Sequence, residues 1–137
     1  MPADGLIISE NKFGERTFFG DNWPNRASYW FPCIDHPSEK ATVTFVINHP
    51  KRYTCVSNGQ RLHVTESSAD NNMTVFQSSH PLPTKVMVFG LAQFKTDTLI
   101  HPHNLEHVNF VFPQNDIAGF TDMSVATDPL AFFESRI

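Results

Sequence analysis

Between Trp23 and Ile47 the chain reads W-P-N-R-A-S-Y-W-F-P-C-I-D-H-P-S-E-K-A-T-V-T-F-V-I, and this stretch limits the fold more than any other. Pro24, Pro32 and Pro37 each fix φ and remove a backbone donor, so neither a continuous helix nor a central strand passes through its first half. Residues before proline are pushed to extended geometry, which makes Trp23, Phe31 and His36 extended. Trp23, Tyr29, Trp30 and Phe31 carry too much apolar area for a solvated loop, so several of them are expected to anchor in a core, with partners for the indole N–H groups. From Ala41 the period becomes two. Ala41, Val43, Phe45 and Ile47 face one way, and Thr42, Thr44, Val46 and Asn48 the other, as in a half-buried strand.

The rest of the chain is punctuated in the same way. Leu6-Ile7-Ile8 and Arg16 to Phe19 are short strands around a turn with Gly14. His49-Pro50 is expected to end pairing. Tyr53–Ser57 and Gln60–Thr65 flank Asn58-Gly59, the strongest short-range signal for a hairpin. Further strands are expected at Met73–Ser78, Lys85–Leu91, Gln93–Leu99 and His107–Phe112. Only the tail reads as helix: Asp128 suits an N-cap, Pro129 a first helical position, and Leu130, Phe133 and Ile137 share one face. The fold class expected is therefore all-β, a sandwich or saddle-shaped, mostly antiparallel sheet of about seven strands with one short C-terminal helix.

Length and charge exclude several functions. The 137 residues make one domain able to bury a core, and 13 phenylalanines are too many for a disordered chain. A net charge of −4 without a basic cluster argues against nucleic acid as a partner. No apolar run approaches a membrane span, so no membrane partner is expected either. Met1–Gly5 lacks the basic and apolar regions of a signal peptide. The alternative is that the natural start of a longer protein is missing here, and localisation is left unread. Cys33 and Cys55 read as free, buried thiols, with a disulfide between them left open by spacing.

W-F-P-C-I-D-H-P-S-E-K-A-T-V-T-F resembles the signature of the N-terminal β-domain of the aminopeptidase N and leukotriene-hydrolase family of zinc aminopeptidases. The longer D-N-W-P-N-R-A…W…P…D-H-P-x-x-K-A-T looks like a bacterial branch of it, and the similarity continues through Ser57-Asn58, Pro83-Thr84, Phe89-Gly90 and Phe94. The resemblance implies residues 1–123 as a partial β-domain and 124–137 as linker and first helix leading towards an absent catalytic domain. It implies zinc as cofactor of the parent enzyme but none in this chain: the 137 residues contain neither H-E-x-x-H nor the family's Gly-x-Met-Glu-Asn segment. It also implies a substrate-binding position, where the family's Gln or Glu accepts hydrogen bonds from the substrate's α-ammonium. That position falls on Asp21, Asn22 and Trp23, with Asp21 able to supply charge and Asn22 a carbonyl acceptor. A simple turn made by Asp21-Asn22 carries equal weight.

Other constellations are weaker. His101, His103 and His107 invite a zinc reading, but Pro102 and the polar surroundings mark an ordinary loop. Cys33 shows no electropositive setting that would make it a nucleophile. Asp35 and Glu39 could form a carboxylate pair, but Asp35 reads more simply as a turn-making residue, and Arg26 as a charge that pairs within the corner. Asn72-Met73-Thr74 matches a glycosylation acceptor, which has meaning only in a secretory pathway. The function expected is a non-catalytic β-domain fragment that forms part of the substrate-cleft wall and helps bind the peptide N-terminus. Its partners are then the catalytic domain, the peptide substrate of the parent and, through open strand edges, a second copy. The alternatives are a free-standing β-sandwich interaction module and a small metal-binding protein.

Overall fold

The computed structural model describes residues 5–100 and 106–136, apart from the side chains of Thr127, Leu130 and Glu134. Two compact units divide the chain, Met1–Ala92 and Gln93–Ile137. The division precedes the last two strands, Lys95–Ile100 and Glu106–Val111.

The first unit is a two-layer sandwich. One layer is a four-stranded sheet in the order β1 (Gly5–Glu10), β2 (Arg16–Asp21), β9 (Phe89–Ala92), β5 (Thr54–Ser57). The other is a three-stranded sheet in the order β4 (Thr44–Pro50), β7 (Asn71–Gln77), β6 (Gln60–Glu66). A short ladder joins β3 (Lys40–Ala41) to β8 (Leu82–Pro83), and every pairing in the unit is antiparallel. The all-β expectation holds. The core forms where the layers face each other: Tyr53, Cys55 and Leu91 meet Phe76, with Phe18, Phe45, Ile47 and Phe89 packed against them. The Phe18 ring stands edge-on to Tyr53 at 5.9 Å, a favoured aromatic geometry.

The alternation expected over 41–47 is present from Val43, with Val43, Phe45 and Ile47 half-buried and Thr44 and Val46 exposed, while Ala41 is exposed. The element itself is broken, because β3 pairs with β8 while Thr42 and Val43 leave the ladder. Ser78 bridges the gap: its N–H donates to the Val43 carbonyl at 3.0 Å, and its hydroxyl accepts from Val43 N–H at 3.0 Å.

The strand expected over Lys85–Leu91 begins only at Phe89, after a 3-10 turn over Thr84–Val86; three further expectations need correction. Asn58-Gly59 is not a hairpin turn, since β5 pairs with β9 and β6 with β7, in different layers. The dipeptide carries the chain across the sandwich, with Asn58 Oδ1 accepting from Val88 N–H at 2.8 Å and Gly59 at φ +85 against the Gln77–Ser78 backbone. His49-Pro50 does not end pairing, since β4 runs on to Pro50 opposite Asn71. β4 is an edge strand, where the missing proline donor faces away from the ladder. His49 is only 3 % exposed; its Nδ1 lies 3.1 Å from the Pro50 carbonyl, which only accepts, so Nδ1 carries the proton. Its Nε2 lies 2.9 Å from the Thr74 hydroxyl.

The third correction concerns the tail. In the second unit β10 (Lys95–Ile100) pairs with β11 (Glu106–Val111), and helical backbone starts well before Asp128. Helix α1 spans Asp116–Met123, a 3-10 turn covers Ser124–Ala126, and α2 spans Thr127–Glu134. Ala126, itself helical in backbone, holds the N-cap position of α2, where its methyl side chain can make no capping bond. Pro129 lacks the N–H of a regular α-helix and crowds the carbonyl four residues back, at the tightened turn. Phe133 is 58 % exposed, while Ile137 lies outside the described residues. Gly119 hides α1 from a propensity reading, yet it lets the helix approach β11: a Cβ there would sit 2.8 Å from Val111 Cγ1. No helix among the described residues is long and apolar enough to cross a membrane.

Candidate functional site

Strand β2 ends at Asp21, and the corner that follows is held by one side chain. Asn22 is 1 % exposed. Its Nδ2 donates to the carbonyls of Thr84 at 2.9 Å and Met87 at 2.8 Å, and its Oδ1 accepts from the indole Nε1 of Trp30 at 2.7 Å. Three neutral hydrogen bonds inside the protein occupy the amide, tying the corner to the approach to β9. A 3-10 turn over Ala27–Tyr29, with Ala27 fully buried, swings the chain so that Trp30 rests edge-on against Phe31 at 4.7 Å and Phe89 at 5.7 Å. Of the four aromatic residues expected to anchor the corner, Trp30 and Phe31 are half-buried, while Trp23 and Tyr29 are 65 % and 68 % exposed.

The three residues singled out by the sequence therefore point to different surroundings. Asp21 keeps 41 % of its side chain exposed, and its Oδ2 accepts from Arg26 Nη1 at 3.0 Å, the pairing expected within the corner. Asn22 faces inward. Trp23, joined to Pro24 by a cis peptide bond, faces solvent with the Lys85 ammonium 4.8 Å from its ring centroid. An exposed pair such as Asp21–Arg26 contributes only about 0–1 kcal/mol, so its carboxylate is still free to take a second donor. Asp35 is structural: it accepts from Ser28 N–H and from the Thr84 hydroxyl, each at 3.2 Å, and so clasps the two sides of the corner.

Cys33 and Cys55 are both free, one half-buried and the other buried. Burial, and then the Asp35 carboxylate, push the Cys33 thiol upwards, the reverse of what a thiolate nucleophile needs. Burial alone pushes Cys55 from 9.0 up to about 11. A raised value means that the thiol form is favoured in the fold, so this contribution to stability is whole below pH 9.0 and is lost as pH climbs towards 11. Denaturant unfolding across that window should show stability falling in the parent chain and a shallower fall in Cys55→Ala. Equal slopes would remove Cys55 as the cause.

His101 and His103 lie outside the described residues, and His107 Nε2 is bonded to Asn109 Oδ1 at 2.8 Å. Among the described residues no group of three or more His, Cys, Asp or Glu is placed to hold a metal ion.

A feature the sequence did not single out is a cleft of about 430 Å³ at the rim of the sandwich, between Arg16 and Phe18 on one layer and Ile47 and Pro50 on the other. The only signal available was Arg16 two residues ahead of Phe18, on the same face of a strand.

Known proteins resemble this chain along most of its length. Residues 10–86 match the family model for the Peptidase M1 N-terminal domain. Glutamyl aminopeptidase of Bos taurus is 31% identical over 115 residues, 83% of this chain and 12% of that protein. The Homo sapiens glutamyl aminopeptidase is 40% identical over 76 residues, 54% of this chain and 8% of the relative. Tricorn protease-interacting factor F2 of Thermoplasma acidophilum is 27% identical over 136 residues, 96% of this chain and 16% of that protein. The chain thus spans less than a fifth of the length of these curated relatives. The matched segment holds β2, the Asn22 corner, the W-F-P-C-I-D-H-P block and the sandwich as far as the turn before β9, and the chain belongs to the Peptidase M1 N-terminal domain family.

Proposed function

We propose that this chain serves as part of the substrate-cleft wall of a zinc aminopeptidase and does no chemistry by itself. The observation that carries the reading is the family match over 10–86 together with an exposed carboxylate, Asp21, at the end of β2. Asp21 receives the α-ammonium of a peptide substrate, where a charge-assisted hydrogen bond is stronger than a neutral one. Trp23, two residues on, offers a solvent-facing apolar ring. Asn22 acts as a positioning residue, since its amide is spent on Thr84, Met87 and Trp30. Residues 124–137 lead towards the catalytic domain, which holds the zinc of the parent enzyme.

Hydrolysis of aminoacyl-anilides tests the reading. The 137-residue chain alone should release no chromophore above buffer, and activity in it would overturn the proposal. In the longest reading frame that contains this segment, Asp21→Asn should raise KM for substrates with a free amino terminus by about tenfold, with kcat less affected. An unchanged KM would remove Asp21 from the substrate site.

Open edges are the second part of the proposal. β6 is exposed along Gln60–Glu66, with Leu62 and Val64 each 48 % exposed, and it borders only β7. Unpaired backbone groups on such an edge template a second strand, so two copies join through it. Sedimentation should show a dimer growing with concentration. A strict monomer at high concentration would refute edge pairing.

A further inference from the structure

The cleft at the rim of the sandwich is lined by Arg16 and Phe18 of β2, Ile47, Asn48 and Pro50 of β4, Arg52 and Tyr53 of the following turn, and Phe89 and Leu91 of β9. Its floor is the edge of the core: Leu91 and Tyr53 are buried, while Phe18, Ile47 and Phe89 are left half-covered. Its rim is cationic. The Arg52 guanidinium sits 5.0 Å from the centroid of the Tyr53 ring and donates to the Tyr53 hydroxyl at 3.4 Å. Among the described residues neither Arg16 nor Arg52 has a carboxylate partner, although Arg26, Lys51 and Lys95 each have one. Glu10 stands directly opposite Arg16 in the β1–β2 ladder and still forms no ion pair with it. Among the described residues no acidic side chain lines the cleft.

We infer that this cleft binds a small carboxylate with an apolar body, its head group between Arg16 and Arg52 and its chain against Phe18, Ile47, Phe89 and Leu91. About 430 Å³ lies within the range of small-ligand sites, and an apolar lining with a few convergent polar groups is their usual make-up. Guanidinium groups match a carboxylate in geometry as well as charge. The apolar floor gives a bare inorganic anion nothing to bury, and the two cations favour a charged head group over a neutral one of the same shape. This site is separate from the Asp21 corner, so its test does not depend on peptidase activity.

The experiment is a titration of the full 137-residue chain with octanoate, followed by calorimetry and by backbone amide NMR shifts. Saturable one-site binding is expected, with shifts centred on Phe18, Ile47 and Leu91. Octanamide, the neutral analogue, should bind at least about tenfold more weakly, and inorganic phosphate should produce no saturable shift at those amides. The double variant Arg16→Gln with Arg52→Gln should raise the octanoate Kd by a similar factor at unchanged melting temperature. Equal binding of octanoate and octanamide, shifts elsewhere, or no saturation would each overturn the inference. If the double variant loses stability, the wild-type comparison of octanoate with octanamide decides alone.

Discussion

Asn22→Leu should lower the stability of the β unit by about 3–5 kcal/mol, the largest effect expected from any single substitution in the chain. Leucine keeps the branched shape in a bulkier side chain, but it strands the Trp30 indole N–H and the Met87 carbonyl, and it takes from the Thr84 carbonyl one of two donors. Each buried polar group left alone costs about 1–3 kcal/mol, against a total stability of about 5–15 kcal/mol for a domain. Asn22→Asp sharpens the point. An ionised carboxylate has no donor for the two carbonyls, whereas the protonated acid has one. The folded state therefore favours the proton, raising that carboxyl above its unfolded value. Stability is present below the unfolded value and is lost as pH rises through the folded one. Urea unfolding should place Asn22→Asp closer to the parent chain in acid than at neutral pH, and Asn22→Leu far below it at both. A leucine variant within about 1 kcal/mol of the parent would show that the amide does not hold the corner.

Gly59→Ala comes second, at about 3 kcal/mol or more. The residue sits at φ +85, where a side chain alone costs about 1–2 kcal/mol. Its Cβ would also overlap the Gln77 carbonyl and come 2.5 Å from the Ser78 amide nitrogen, both backbone atoms of the neighbouring strand. Neither can move without disturbing the Ser78 bridge to Val43. Gly14→Ala is the internal control: φ is +81 there too, but nothing lies within 4 Å. It should cost only the conformational part, about 1 kcal/mol. Thermal melts of the two variants separate strain from overlap, and equal losses would mean that the crossing at Gly59 is not tightly packed.

The two glycines also mark where sequence reading stops. Asn58-Gly59 announces a turn with positive φ, which is a local property of the dipeptide. The partner of each flanking strand is a nonlocal matter, decided by which layer offers a matching row. Here Val56 lies beside Gly90 and Arg61 beside Phe76, so the expected hairpin opens into a crossing between layers. The edge position of β4, which lets Pro50 stay in a strand, was hidden for the same reason.

Most strand positions, the class of the fold and the family block were written locally: a period of two, prolines that forbid helix, and a run of residues at fixed spacing. The corner was legible as a place but not as a mechanism. Asp21, Asn22 and Trp23 are adjacent in the chain, yet one carboxylate is half-exposed, one amide is buried on three partners and one ring is in solvent. Burial depends on Thr84, Met87 and Trp30, of which the first two are more than sixty residues away, and no local pattern encodes that meeting. The cleft between Arg16 and Arg52 is likewise a product of two layers closing on each other. Periodicity chose which side chains face inward, and only the packing of one sheet against the other decided where they would fail to fill the space.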